Sequence, residues 1–168
     1  MLVENLLNMK ERTFPHIPKS SKSLEIGDFW SIPLNDGRFA CGRVLGKWPD
    51  GWKGSLRGFF AGLLDWVSDS PPTTTTIAGA QTLEQGGAHI KTILATGGSI
   101  LGNRPLEMDG ISPKLFIEFP DNQTAYIFRG LEKVRIATEE ESQTLPRVSI
   151  FGFRYLPNRA NYLFCKKT

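Results

Sequence analysis

Residues 26–45 constrain the fold more than any other stretch of the chain. They read Ile26-Gly27-Asp28-Phe29-Trp30-Ser31-Ile32-Pro33-Leu34, then Asn35-Asp36-Gly37, then Arg38-Phe39-Ala40-Cys41-Gly42-Arg43-Val44-Leu45. Two apolar runs parted by an Asp-Gly pair predict a β-hairpin, because such turns need residues that accept a positive φ. Period-two alternation puts Trp30, Ile32 and Leu34 on one face and Phe29, Ser31 and Pro33 on the other. Pro33 has no N–H to give a ladder, which predicts an edge strand or a bulge. The return strand sets Phe39, Cys41 and Arg43 against Ala40, Gly42 and Val44. Gly42 there marks a bulge or the close approach of another backbone.

The rest of the chain reads in the same way. Its 168 residues match the size of one ordinary domain, and its eleven phenylalanines and four tryptophans favour strands. Leu2, Val3, Leu6, Leu7 and Met9 predict a short amphipathic helix that stops before Pro15, and 15–23 reads as an extended linker. The apolar run 56–67 holds Gly58 and Gly62, which favours a central strand over a helix. One or two helical turns are expected over 78–84, a strand over 89–95, and a glycine-rich connection over 96–109. The segments 114–119 and 124–129 alternate around Pro120-Asp121-Asn122-Gln123 and predict a second hairpin, which 133–136 continues. Thr138 with Glu141 forms a capping box for a helix ended by Pro146. Two short strands, 148–155 and 162–165, complete the pattern. The expected class is α+β and predominantly β: a strongly twisted antiparallel sheet or half-barrel with a few short helices.

Chemistry is sparse by comparison. The chain has two histidines and two cysteines, with no spacing that would hold zinc. No nucleophile elbow or phosphate loop is present, and Cys41 sits in a strand pattern where a cysteine behaves as a small hydrophobe. We therefore expect no catalytic residue, no metal and no cofactor. Two unpaired-looking cysteines argue against a secreted disulfide scaffold. No run reaches the roughly 20 apolar residues of a membrane span. The net charge of +3 is interrupted by Glu139-Glu140-Glu141, which argues against a nucleic-acid surface. Cytoplasmic location follows as the expectation.

Three features stand out as candidates for binding. Trp48 and Trp52 flank a Gly-rich polar loop, where they serve either as a lid on the core or as interface anchors. Asp65 interrupts the most apolar run, so it is either a buried hydrogen-bond anchor or a binding residue. Trp66 and Asp69 follow it at once. Asp28 and Asp36 read as turn caps.

The hairpin resembles the opening of the immunity protein 26 family, whose Gly-Asp-aromatic-x-Ile-Pro-Leu-x-Asp-Gly-Arg-aromatic-Ala-x-Gly pattern is met at nearly every position from Gly27. Phe60-Ala61-Gly62-Leu63-Leu64-Asp65-Trp66-Val67-Ser68-Asp69 is similar to its second block. The 48–55 loop and the segment before Gly27 depart from the pattern. The resemblance implies a cytoplasmic antidote that binds and neutralises a cognate toxin of the polymorphic or contact-dependent kind. The same grouping also carries the name of a small phosphotriesterase-like hydrolase of organophosphates, which is the alternative. Under the first reading the partner contacts are Trp48, Trp52, Asp65, Trp66 and Asp69, and the chain is a single domain over 1–168. Within it, 1–23 forms a helix and linker and 24–168 the immunity-like domain.

Overall fold

The computed structural model describes residues 11–48 and 57–165. The expected N-terminal helix falls almost wholly outside them. Strands β1 (Asp28–Pro33), β2 (Phe39–Gly46) and β3 (Gly58–Ser68) form an antiparallel meander. β4 (Thr82–His89) pairs with β3, and β5 (Ile100–Asn103) pairs with β1. The resulting five-stranded sheet, in the order β4-β3-β2-β1-β5, is open rather than closed into a barrel. A smaller sheet of β6 (Leu115–Glu118), β7 (Tyr126–Arg129) and β8 (Glu132–Ile136) stands apart. The β-rich antiparallel class holds, and the strands divide between two sheets.

The hairpin forms as expected. The Gly37 N–H bonds to the Leu34 carbonyl, the Leu34 N–H bonds to the Arg38 carbonyl, and Gly37 takes φ +87°. Both faces of the central strands are buried. Trp30, Ile32, Ala40, Val44 and Leu63 enter one core with Ile93, Leu156 and Ala160 from the helices. Phe29, Cys41, Leu45, Phe60 and Leu64 enter a second core with Ile77, Leu106, Ile111 and Phe116. This double burial explains why 59–64 reads as an unbroken apolar run, the pattern of a strand covered on both sides. Pro33 does not mark an edge strand, since β1 lies between β2 and β5. The β5 pairing ends at Trp30, however, so Pro33 falls past its end.

Several segments depart from expectation, among them β5, which arises inside the expected glycine-rich connection 96–109. In place of the helical turns expected over 78–84, residues 82–84 open β4, because pairing from Leu64↔Thr82 to Gly58↔His89 overrides a weak local preference. Residues 91–94 form a short helix, α1 (Lys91–Leu94), in place of a strand. Ile90 and Ile93 are buried at a three-residue spacing. The helix α2 (Glu139–Thr144) has its capping box: Thr138 Oγ1 accepts from the Glu141 N–H, and Glu141 accepts from the Thr138 N–H. Of the two C-terminal strands expected, 148–154 is irregular chain whose backbone meets β4 through a bridge at Gly87 and Ile150. The second, 162–165, gives way to the end of a helix, α3 (Tyr155–Phe164). Pro157 sits in its first turn, where a missing N–H breaks no intrahelical bond. Leu156 and Ala160, with Phe164 against the same core, form the four-residue stripe that packs it.

The expected extended linker 15–23 is anchored along the sheet, and its last residues, Ser21–Ser23, form a turn of 3-10 helix instead. His16 and Ile100 exchange both backbone hydrogen bonds across the outer edge of β5. Arg12 reaches Asp28 with a bidentate pair at 2.6 and 2.8 Å.

Candidate functional site

The acids that drew attention in the sequence divide by burial. Asp28 is no turn cap alone: its fully buried carboxylate accepts from Arg12, from Asn103 Nδ2 at 2.9 Å and from the Glu25 N–H at 2.9 Å. Asp36 does cap its turn, accepting the Arg38 N–H at 3.0 Å. The Arg38 guanidinium and that N–H hold its carboxyl down at about 2. A third acid, Asp109, was not legible as important. It closes a buried cluster in which Arg43 Nη1 donates at 2.8 Å and Arg104 Nε at 2.9 Å. Arg43 Nη2 also donates to the Arg104 carbonyl, and the Gly79 N–H meets Asp109 Oδ1 at 2.8 Å. Burial pushes the Asp109 carboxyl up, but these donors outweigh it and hold it well below the ordinary carboxylate range.

Cys41 is wholly buried, which drives its thiol far above the ordinary value against a smaller pull from Arg43. It lies five ladder positions from Gly46, roughly 16 Å from the end of the sheet that carries His89. The two cannot act as a dyad. A thiol-reactive reagent should therefore label half-buried Cys165 in the native protein and Cys41 only after unfolding. Native labelling of both at similar rates would contradict this burial. Among the described residues, no three His, Cys, Asp or Glu side chains are grouped to hold a metal ion, and no helix is long and apolar enough to cross a membrane.

The predicted contact residues do not form one patch. Trp52 lies outside the described residues. Trp48 is half-buried at the end of β2 and packs against the second core beside Gly58. Asp65, Trp66 and Asp69 lie at the opposite end of β3, roughly 26 Å along the strand from Gly58 to Trp66. Asp65 is exposed, so it is not a buried anchor. Its backbone N–H is tied into the sheet, at 2.7 Å from the Gln81 carbonyl. Trp66 is half-buried and donates Nε1 to the Thr76 carbonyl at 2.8 Å, and Asp69 is exposed.

At the Trp48 end the two sheets part around an open apolar groove of about 610 Å³. Trp48, Phe59, Phe128, Ile150, Phe151 and Phe153 give it its character. One wall is the 148–153 segment, held to β4 by the Gly87 N–H to the Ser149 carbonyl and the Phe151 N–H to the Gly87 carbonyl, both 2.8 Å. The sequence predicts a regular strand over 148–155, and 148–153 instead forms this irregular wall. Its apolar residues at a solvent edge were the available signal. Ile150 is 76% exposed and Phe153 46% exposed.

Together these features define a β-rich scaffold with its buried charges locked in ion pairs and a concave apolar surface between its sheets. The sequence model of the family described as Immunity protein 26 matches residues 25–125, and the chain belongs to that family. No curated protein and no solved structure matches the chain. The matched residues run from the turn before β1 through β6 and so include every strand of the larger sheet.

Proposed function

We propose that this protein binds a cognate toxin domain of the polymorphic or contact-dependent kind and neutralises it without catalysis, in the cytoplasm of the producing cell. The observation that carries this reading is the family match across the whole five-stranded sheet. A binding protein needs a rigid scaffold and a complementary surface, and the arginine-locked acids serve rigidity. Asp28 and Asp109 are each engaged by arginine, and Cys41 is a poor nucleophile as a buried thiol. The phosphotriesterase-like alternative gains no supporting observation from these groups. We take 1–168 as one functional unit with 1–23 as its appended segment. Partner contacts are proposed at Trp48 and Trp52 or at Asp65, Trp66 and Asp69, with neither a membrane nor nucleic acid as the partner.

The test is co-expression with the toxic C-terminal domain encoded beside the gene. The two should co-purify as a stoichiometric complex, and growth of the toxin-expressing cells should be restored. Absence of both binding and rescue would sink this reading. Paraoxon hydrolysis that persists in protein purified from a second host would favour the hydrolase.

A further inference from the structure

The groove at the Trp48 end has an apolar floor and a rim of mainly one charge. Lys91 Nζ lies 5.1 Å from the Phe153 ring centre, and the Arg147 guanidinium lies 5.0 Å from that of Phe119. Arg57 directly precedes Gly58, which lines the groove, and burial, then the charges of Lys91 and Arg57, lower the His89 pKa. Among the described residues, Glu118 is the one acid lining the groove. That acid is already engaged, by the Val148 N–H at 3.1 Å and Arg147 at 3.3 Å.

The polar groups inside the groove are similarly occupied. His89 Nδ1 accepts the Lys91 N–H at 3.0 Å, and its ring packs on Phe153 with centroids 5.2 Å apart. Sites for small ligands combine an apolar lining with free, convergent polar groups that fix orientation. Here the polar groups are engaged and the surroundings are cationic. An apolar centre inside a charged rim is instead the anatomy of a protein interface. Much of the groove, including Phe128, Ile150, Phe151 and Phe153, also lies beyond the family-matched residues 25–125. That places it where one member can differ from another in the partner it accepts.

We propose that this groove is the docking site for an acidic protein surface that inserts an aromatic side chain between the two sheets. The proposal rests on the toxin-binding reading and assigns its contact surface to this end of β3 rather than to Asp65, Trp66 and Asp69. The inserted ring meets Phe128, Ile150 and Phe153, while carboxylates around it meet Lys91 and the 63%-exposed side chain of Arg147. Charge complementarity of this kind speeds encounter and selects the partner, and the buried ring slows dissociation.

Two capped hexapeptides test the groove without the toxin. Each has a Trp-Phe centre, flanked in one by four acidic residues and in the other by four basic residues. Amide NMR shifts at Gly87, Ala88, Gly130 and Ile150 should saturate with the acidic peptide and bind it at least tenfold more tightly than the basic one. Ile150→Asp, at an exposed position that leaves the fold intact, should weaken it about tenfold. Lys91→Glu with Arg147→Glu should abolish the acidic preference, and Asp65→Lys with Asp69→Lys should change nothing. No saturable shift at millimolar peptide, equal binding of the two peptides, or shifts centred on Asp65 would overturn the proposal. The neighbouring toxin domain separates the two readings. If wild-type protein captures it and Ile150→Asp and Arg147→Glu do so equally well, the groove assignment fails and toxin binding stands. If the toxin is not captured while the peptide selectivity holds, toxin binding fails and the groove stands as an acidic-partner site.

Discussion

Asp109→Ala should destabilise the protein by about 3–5 kcal/mol, because it strands the Arg43 guanidinium inside the second core. Both side chains are fully inaccessible to solvent. The remaining partners of Arg43 are the carbonyls of Arg104 and Pro105, which cannot neutralise its charge. For a domain of this size the loss corresponds to a fall in Tm of roughly 6–20 °C. Arg43→Met combined with Asp109→Ala should be more stable than Asp109→Ala alone, since the double variant leaves no fully buried charge unpaired; Arg104, the other partner of Asp109, keeps 15% exposure to solvent. Arg43 Nε has no hydrogen-bond partner even in the native cluster, so its removal relieves a further cost. Urea denaturation of the wild type, Asp109→Ala, Arg43→Met and the double variant measures this directly. A loss below about 1 kcal/mol for Asp109→Ala, or simple additivity in the double variant, would contradict the assignment.

The same cluster sets the sign of the acid response. Its donors hold the folded Asp109 carboxyl below the ordinary aspartate value of about 3.9, so the unfolded chain takes up the proton first. Stability from this group is complete above that value and is lost as pH falls beneath it. Asp36 and Glu141, each held at about 2 by arginine and backbone donors, act in the same direction from the surface. Asp109→Asn should therefore show a shallower fall in stability below pH 4 than the wild type. An equally steep acid limb would remove Asp109 from the explanation.

The parts of this fold that were legible are those whose local signals agree with their tertiary fate. The first hairpin carries alternation and a turn glycine, and α2 carries a complete capping box, so each could be placed from a few residues. β4 was not legible because Thr82-Leu83-Glu84-Gln85-Gly86-Gly87 has little strand preference and forms by pairing with β3. α3 was hidden by Pro157, which reads as a turn unless its place in the first helical turn is known. The candidate site was legible in part. Trp48 lies on the groove, but the other wall comes from 148–153, a hundred residues later in the chain. The docking of that segment on Gly87, with the Val148 N–H on Glu118, brings the two together. Arg43 and Asp109 were likewise joined by topology, across a separation of 66 residues.

Gly42→Ala should cost about 1–3 kcal/mol by overpacking, and a valine there more. A Cβ at this position would lie 2.5 Å from Trp30 Cη2 and closer still to Cζ2 and Cε2. Glycine is therefore required by a side chain from the paired strand, through Trp30↔Gly42, rather than by another backbone. The indole cannot retreat easily, since Trp30 is fully buried and packs edge-on against Phe59 with centroids 5.8 Å apart. Trp30→Phe removes the carbons that occupy the space, together with a buried Nε1 that has no hydrogen-bond partner. Alone it should leave a void and destabilise. Combined with Gly42→Ala it should recover part of the loss, because the new methyl enters the vacated volume. A double-mutant cycle should return a favourable coupling of about 1–3 kcal/mol. Zero coupling would mean that the strand relaxes around the methyl and that Trp30 is not what holds position 42 to glycine.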